Sequence, residues 1–529
     1  MKRLLSIISL VLALTTSCSS DFLKEYSQDL SRVNSYTDLD ELMVGSGFLG
    51  VGLVANADSY IQVYNTNYLP IHFMSDELDE NLTPPTDPDQ SMGYRKTMYP
   101  YFTWQQGTYL DYQQKDTYDE IEKSYWNLSY NHIATCNMIL DEASRLTVKD
   151  QDEKALANKV NGEAHFLRAL YYYVLVNLYA KPYVPSTAAS TPGVPIKTTA
   201  YIEDKIYARN SVKEVYDQIV GDLSAAEEYL KDLHSPESIH RVGINAVYLF
   251  RSRVALYMQD WATAEKYAVL SLGENNQLQQ LVGVSEDVFP LSKTNVENVF
   301  SMGGTTLGNL LFLRPGGSYY GTPYSPVWKI SNHLYSLYTS NDARKKTFFQ
   351  TKYGVGNEPS YHKIDNREET FGVYTGVSDQ FLFRSPEAYL NAAEACAHLG
   401  KDQDAIKYLT TLRQNRVTDD TPLNLTGGAL VTFIRQERQR EFCLEGLRWY
   451  DMRRYAVDQK YPEVEKVEHS FTTYAYINGQ YIPQNTKYYE LSTDDGGMVL
   501  DIPKAVREFQ NTIGSNERPL RKVVRSKAY

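Results

Sequence analysis

The chain has 529 residues, 42% of them hydrophobic and 22% charged, a globular balance that excludes wholesale disorder. With 53 Lys and Arg against 65 Asp and Glu it carries a formal charge of −12, which repels a phosphate backbone and argues against nucleic-acid binding. The outlier is tyrosine, at 44 residues, whose flat face and polar tip suit both cores and wet binding surfaces.

Met1-Lys2-Arg3 is a basic start. An apolar run from Leu4 to Leu14 follows, broken only by Ser6 and Ser9, then Thr15-Thr16-Ser17 and Cys18. Residues 1–17 read as a secretory leader, too short to remain as a membrane span. A Cys directly after small residues resembles a bacterial lipoprotein signal, in which Cys18 would be acylated and become the first mature residue. Thr15 stands where the usual motif has Leu, with Leu14 one place further back. Loss of Lys2 and Arg3 would take the formal charge from −12 to −14. The other thiols, Cys136, Cys396 and Cys443, cannot form a closed disulfide framework and read as small buried hydrophobes.

Ile121, Tyr125, Leu128, His132, Cys136 and Ile139 recur at helical spacing, as do Val160, Ala164, Leu167, Tyr171, Val174 and Leu178. The spacing predicts two long helices joined through Lys149–Lys154. The most apolar later stretch, Leu170–Ala180, holds four tyrosines and Asn177, so it reads as a buried helix and not a membrane span. Ser211-Val-Lys-Glu214 is a capping box opening a third helix along Val215, Ile219, Leu223, Ala226 and Leu230. Ser385-Pro386 predicts another helix start, and Gly400 its stop.

Two helical hairpins look alike. Asp260 precedes Ala264-Glu-Lys-Tyr267, and Asp402 precedes Ala405-Ile-Lys-Tyr408, 141 positions later; both Asp residues read as caps. A small residue on the second helix lets its partner approach, as in tetratricopeptide hairpins. Between the pairs lies a loop-rich stretch at about 274–384, and residues 18–118 are similarly irregular. Tyr474–Ile477 and Gln480–Ile482 flank Asn478-Gly479, the signal of a type I′ hairpin. The expected class is mainly α: tetratricopeptide-like hairpins at about 119–273 and 385–455, large irregular loop insertions and a small β-hairpin.

Chemical motifs are weak. Gly45-Ser-Gly47-Phe-Leu-Gly50 matches GxGxxG but reads as a glycine-rich helix end, without the strand a dinucleotide site needs. Asp76, Glu77, Asp79 and Glu80 lack calcium-loop spacing and read as a solvated acidic loop. His132 and His165 stand singly in helices. Glu437, Glu441 and Glu445 alternate with Arg438, Arg440 and Arg448, a pattern of ion pairs more than of acid–base catalysis. No catalytic residue, metal or cofactor is expected.

Five ordered stretches together resemble the SusD/RagB family of Bacteroidetes outer-membrane lipoproteins. They are Asn131–Ala143, Gly162–Pro185, Arg384–Ala395, Arg435–Tyr455 and Ile502–Asn511. Ala180 departs from the family's usual Gly at that turn. The resemblance implies one SusD-like domain over residues 18–529, lipid anchoring at Cys18 and exposure at the cell surface. It also implies a SusC-like TonB-dependent transporter as partner, and capture of a nutrient, typically an oligosaccharide, without hydrolysis. Capture of peptide by the same lid, a tetratricopeptide-type adaptor and a surface hydrolase are the alternatives.

A sugar-binding lid needs aromatic faces with polar groups beside them. Two irregular windows offer these: Tyr94, Tyr99, Tyr101, Trp104 and Tyr109 with Asp76 and Arg95, and Tyr319, Tyr320, Tyr324 and Trp328. Trp104 and Trp328 are the expected stackers, and the two windows are expected to meet on one exposed face.

Overall fold

The helices Glu120–Ala143 (α1) and Gln151–Tyr179 (α2) lie side by side, as their apolar spacing requires. They belong to a computed structural model that describes residues 33–50, 70–81, 95–115, 120–201, 203–304, 307, 311, 318–319, 322–323, 327–350, 358–364 and 377–529. Asp150 caps α2 by accepting the Glu153 amide at 2.8 Å. The second half of α2 is buried on every side, so it serves as the central post of the core. Two of its tyrosines turn their hydroxyls to backbone carbonyls, Tyr171 to Gly47 at 2.8 Å and Tyr172 to Lys197 at 2.7 Å. Burial therefore costs them no hydrogen bond. Among the described residues no helix is long and apolar enough to cross a membrane.

Ala180 ends α2 in extended backbone, φ −130°, so no glycine is required at that turn. Val212–Leu230 (α3) starts on the expected capping box, with both Ser211 and Glu214 engaged. It packs on α2 at Gly162, where a Cβ would overlap Leu230.

Ile244–Tyr257 (α4) and Trp261–Glu274 (α5) form the first hairpin, Ser385–His398 (α6) and Asp402–Arg413 (α7) the second. Their links match residue for residue at the 141-position offset. Gln259 and Gly400 both take positive φ, 61° and 75°. The next amides, Asp260 and Lys401, bond Ala255 and Cys396 at 2.9 and 2.8 Å. Ala264 and Ala405 are both fully buried, as close helix approach demands. Asp260 caps α5, accepting the Thr263 amide at 3.2 Å. Lys401 holds the equivalent position, so Asp402 does not cap; it is the first helical residue, and its carboxylate accepts the Gly427 amide at 3.2 Å. Ser385 likewise lies inside α6, and its hydroxyl goes to Gln277 instead of capping.

The two hairpins stack, α6 against α5, across the whole intervening stretch. Strands Asn298–Ser301 (β2) and Leu382–Arg384 (β4) pair antiparallel and bring the ends of that stretch together at the start of α6. Gly427–Phe442 (α8) closes a second core with α6 and α7, built on Leu390, Leu409, Leu412, Leu430 and Ile434. Arg448–Ala456 (α9) follows.

Leu78–Glu80 (β1) pairs with Trp328–Ile330 (β3), joining the N-terminal irregular segment to the long insertion. The expected hairpin is longer than its signal, Lys466–Ile477 (β5) with Gln480–Ser492 (β6), and gains a third strand in Arg525–Ala528 (β7). Asn478 and Gly479 take φ 51° and 84°, as a type I′ turn needs.

Candidate functional site

Of the two aromatic windows, Trp328 and the Phe102–Trp104 stretch come together, but inside the core. Trp328 on β3 packs edge-on against Phe73 and Phe102, with ring centroids 4.9 and 4.7 Å away. Trp104 stacks on His469 at 4.4 Å, and Phe102 covers the other side of that imidazole at 4.0 Å. The Trp104 indole donates to the Met74 carbonyl at 2.8 Å. Trp104 and Trp328 are 1% and 0% exposed, so neither can stack on a ligand. The expectation of one exposed face is thus corrected. The β1–β3 pairing closes over the rings, and the indole finds its partner in the backbone rather than in a sugar. Tyr99 and Tyr101 are buried as well. Tyr99 bonds Tyr489 at 3.1 Å and packs on Phe471. Tyr109 is half-buried, with the Lys504 ammonium over its ring. Tyr94, Tyr320, Tyr324 and Cys18 lie outside the described residues.

The polar partners of the first window are structural too. Arg95 is buried over the Phe471 ring, where it pairs with Glu80 and donates to the Thr472 carbonyl. Asp76 holds Arg448 through two bonds of 2.8 and 2.7 Å and takes His333 at 3.2 Å. Burial acts to raise the Asp76 carboxyl, but Arg448 and His333 hold it well below the usual range. Glu77 accepts the Leu444 amide at 2.8 Å, and burial pushes its carboxyl up to about 8. Asp79 accepts the Asn332 amide at 3.1 Å.

The acidic run is therefore no solvated loop. Asp76 and Asp79 reach His333 and Asn332, Asp76 and Glu77 reach Arg448 and Leu444, and Glu80 accepts the Thr472 amide, so together they stitch β1 to the insertion, the last helices and the hairpin. His469 was missed as the centre of the aromatic stack. Its signal was the inward alternation of Val467, His469 and Phe471 along β5. Burial lowers it to about 4, so it is neutral at pH 7.

The Glu437 and Glu441 carboxylates of α8 and Glu445 just beyond it form a buried ion network. Glu441 receives Arg344 at 3.0 Å, Arg384 at 2.7 Å and Arg416 at 3.0 Å. Glu437 receives Arg344, Arg413 and Arg440 at 2.6–2.8 Å. Glu445 pairs with Arg384 at 2.8 Å and with Lys363. Every carboxylate oxygen here faces a cation and no open cleft, which leaves none free for acid–base work. Cys136, Cys396 and Cys443 are buried thiols raised by that burial to about 12, 12 and 11. Gly45 and Gly47 both lie within the helical turn Met43–Gly47, which follows directly on the helix Tyr36–Leu42 and has no strand leading in. Among the described residues no three His, Cys, Asp or Glu converge to hold a metal.

What stays open beside the aromatic junction is a polar edge. It is made of Asn332, the exposed His333 and the Lys329–Glu358 pair at 3.2 Å.

A family model described as starch-binding, associating with the outer membrane, matches residues 85–256, and the SusD family model matches residues 311–516. SusD-like protein P2 of Formosa agariphila is 22% identical over 377 residues, covering 63% of this chain and 71% of its own length. SusD-like protein P38 of the same organism is 23% identical over 385 residues, covering 62% and 71%. A SusD-like carbohydrate binding protein from Bacteroides vulgatus superposes with a TM-score of 0.63 at 20% identity, over 91% of this chain and 97% of its own. A SusD superfamily protein from Bacteroides thetaiotaomicron gives the same score and identity over 92% and 100%.

Proposed function

Because the chain belongs to the SusD family, we propose that it is a cell-surface lipoprotein that captures an oligosaccharide and passes it to a SusC-like TonB-dependent transporter. The observation that carries this reading is the match of both halves of the chain to SusD-family models, one described by starch binding at the outer membrane. The leader over residues 1–17, followed directly by Cys18, supports the same membrane, with Cys18 acylated as the proposed anchor. The carboxylates that sequence offers for chemistry are consumed by ion pairs, which favours binding over hydrolysis.

Burial of Trp104 and Trp328 removes both from the proposed contact residues. Tyr320 and Tyr324 keep the stacking role. The polar edge at Asn332 and His333 supplies hydrogen bonds to hydroxyls, because β3 starts four residues after Tyr324. A glycan and peptide array probed with soluble protein starting after Cys18 tests the reading. Saturable binding to an oligosaccharide class is expected. Binding to peptides alone would replace the sugar with a peptide cargo.

A further inference from the structure

A second concavity lies on the helical scaffold, away from the aromatic junction. It is an open cleft of about 440 Å³ between α1, α2, α3 and the helix Tyr36–Leu42. That volume lies within the range of about 300–1,000 Å³ typical of small-ligand sites. One stripe of α2 lines it: Lys154, Asn158, Asn161 and His165, spaced four, three and four residues apart and so on one helix face. Tyr229 on α3 lies over His165, its ring parallel within 14°.

The floor is fixed. Asp222 receives His165 at 2.8 Å and Arg168 through two bonds, which pairs that carboxylate with the guanidinium and locks both side chains. The wall is not. Among the described residues Lys154 enters no ion pair and the Asn158 side chain makes no hydrogen bond. Asn161 donates to the Ala157 carbonyl at 2.8 Å, which leaves its Oδ1 free to accept. Asparagine is a poor helix former. Placing Asn158 and Asn161 in this helix costs stability that Asn158 does not recover in any hydrogen bond among the described residues. In a chain with 65 acidic residues, none of the thirteen lining this cleft is Asp or Glu.

Two amides supply donors and acceptors together, as a polyhydroxylated ring requires. An unpaired ammonium beside them selects an anionic substituent. We propose that this cleft is a second ligand site, taking a sugar unit that carries a carboxylate. It does not depend on Tyr320 and Tyr324 or on the lid reading.

Saturation-transfer NMR on the soluble chain, with D-galacturonate, D-galactose and acetate as probes, tests it. Galacturonate is expected to bind saturably and up to about fivefold more tightly than galactose at low salt, the reach of one exposed charge pair. Lys154→Ala should reduce it to the galactose level. Asn158→Ala with Asn161→Ala, which raises helix propensity and so keeps the fold, should abolish both sugars. The same double variant should keep any oligosaccharide affinity lost in Tyr320→Ala/Tyr324→Ala, which separates this proposal from the lid reading. Absence of saturable galacturonate binding, equal affinity for galactose, acetate matching galacturonate, or binding that survives the asparagine variant would overturn the proposal.

Discussion

Glu441 shows what a buried charge does in this protein. It is fully buried and serves three guanidiniums, from Arg344, Arg384 and Arg416. Removing one member of such a set leaves desolvated charges without a partner, at a cost of about 3–5 kcal/mol. Glu441→Gln should therefore lower the denaturation midpoint by that order, read by urea melts. Glu445→Gln should lower it too without selective loss of ligand binding; a normal melt with binding abolished would contradict the structural role. Glu77 behaves oppositely. Burial raises its carboxyl from 4.5 to about 8, so it folds protonated. Between those values the unfolded chain has lost a proton that the folded chain keeps. Its contribution is complete below about 4.5 and is lost as pH rises through about 8. Glu77→Gln should flatten the fall in stability from pH 5 to 8, leaving the variant more stable at pH 8 by a margin on the order of 3 kcal/mol. An unchanged pH slope would show that Glu77 does not carry it.

At the scale of elements the helices were readable and the irregular segments were not. Apolar spacing located α1, α2 and α3, and the Asn478-Gly479 turn located the hairpin, because each signal is local. The fate of Trp104 was not local. Its burial depends on β1 meeting β3 across some 250 positions and on His469 arriving from β5. Nothing in the window 94–109 encodes those partners, so composition alone suggested a surface. The same holds for Asp402, whose partner is the Gly427 amide of the next helix. The α2–α3 contact gives a direct test of packing. Gly162→Ala would gain helix propensity yet force a methyl into Leu230. Loss of about 1–3 kcal/mol is expected. Leu230→Ala added to it should cost less than the sum of the single changes, and strict additivity would contradict the close approach.

For the whole molecule, the stacked hairpins form a scaffold, and the insertion is held to it by the β2–β4 pair and by the ion pairs of Arg344 and Lys363 with Glu437, Glu441 and Glu445. The β1–β3 junction is the rigid base from which Tyr320 and Tyr324 are proposed to work. The residues expected to touch ligand, Trp104 and Trp328, instead hold that base together. Replacing both with Ala should unfold the junction, as about 3–5 kcal/mol each implies. Anchoring is separate from folding: Cys18→Ala should leave a folded protein found in the soluble fraction, and retention in detergent-phase membranes would contradict Cys18 as the anchor. The proposed capture of oligosaccharide is tested most directly by isothermal titration of the soluble chain with the array's strongest glycan, beside a Tyr320→Ala/Tyr324→Ala variant. Saturable binding by the native chain, lost in the variant at an unchanged melting temperature, is the expected result. No saturable glycan binding by the native chain, or full affinity in the variant, would contradict the account.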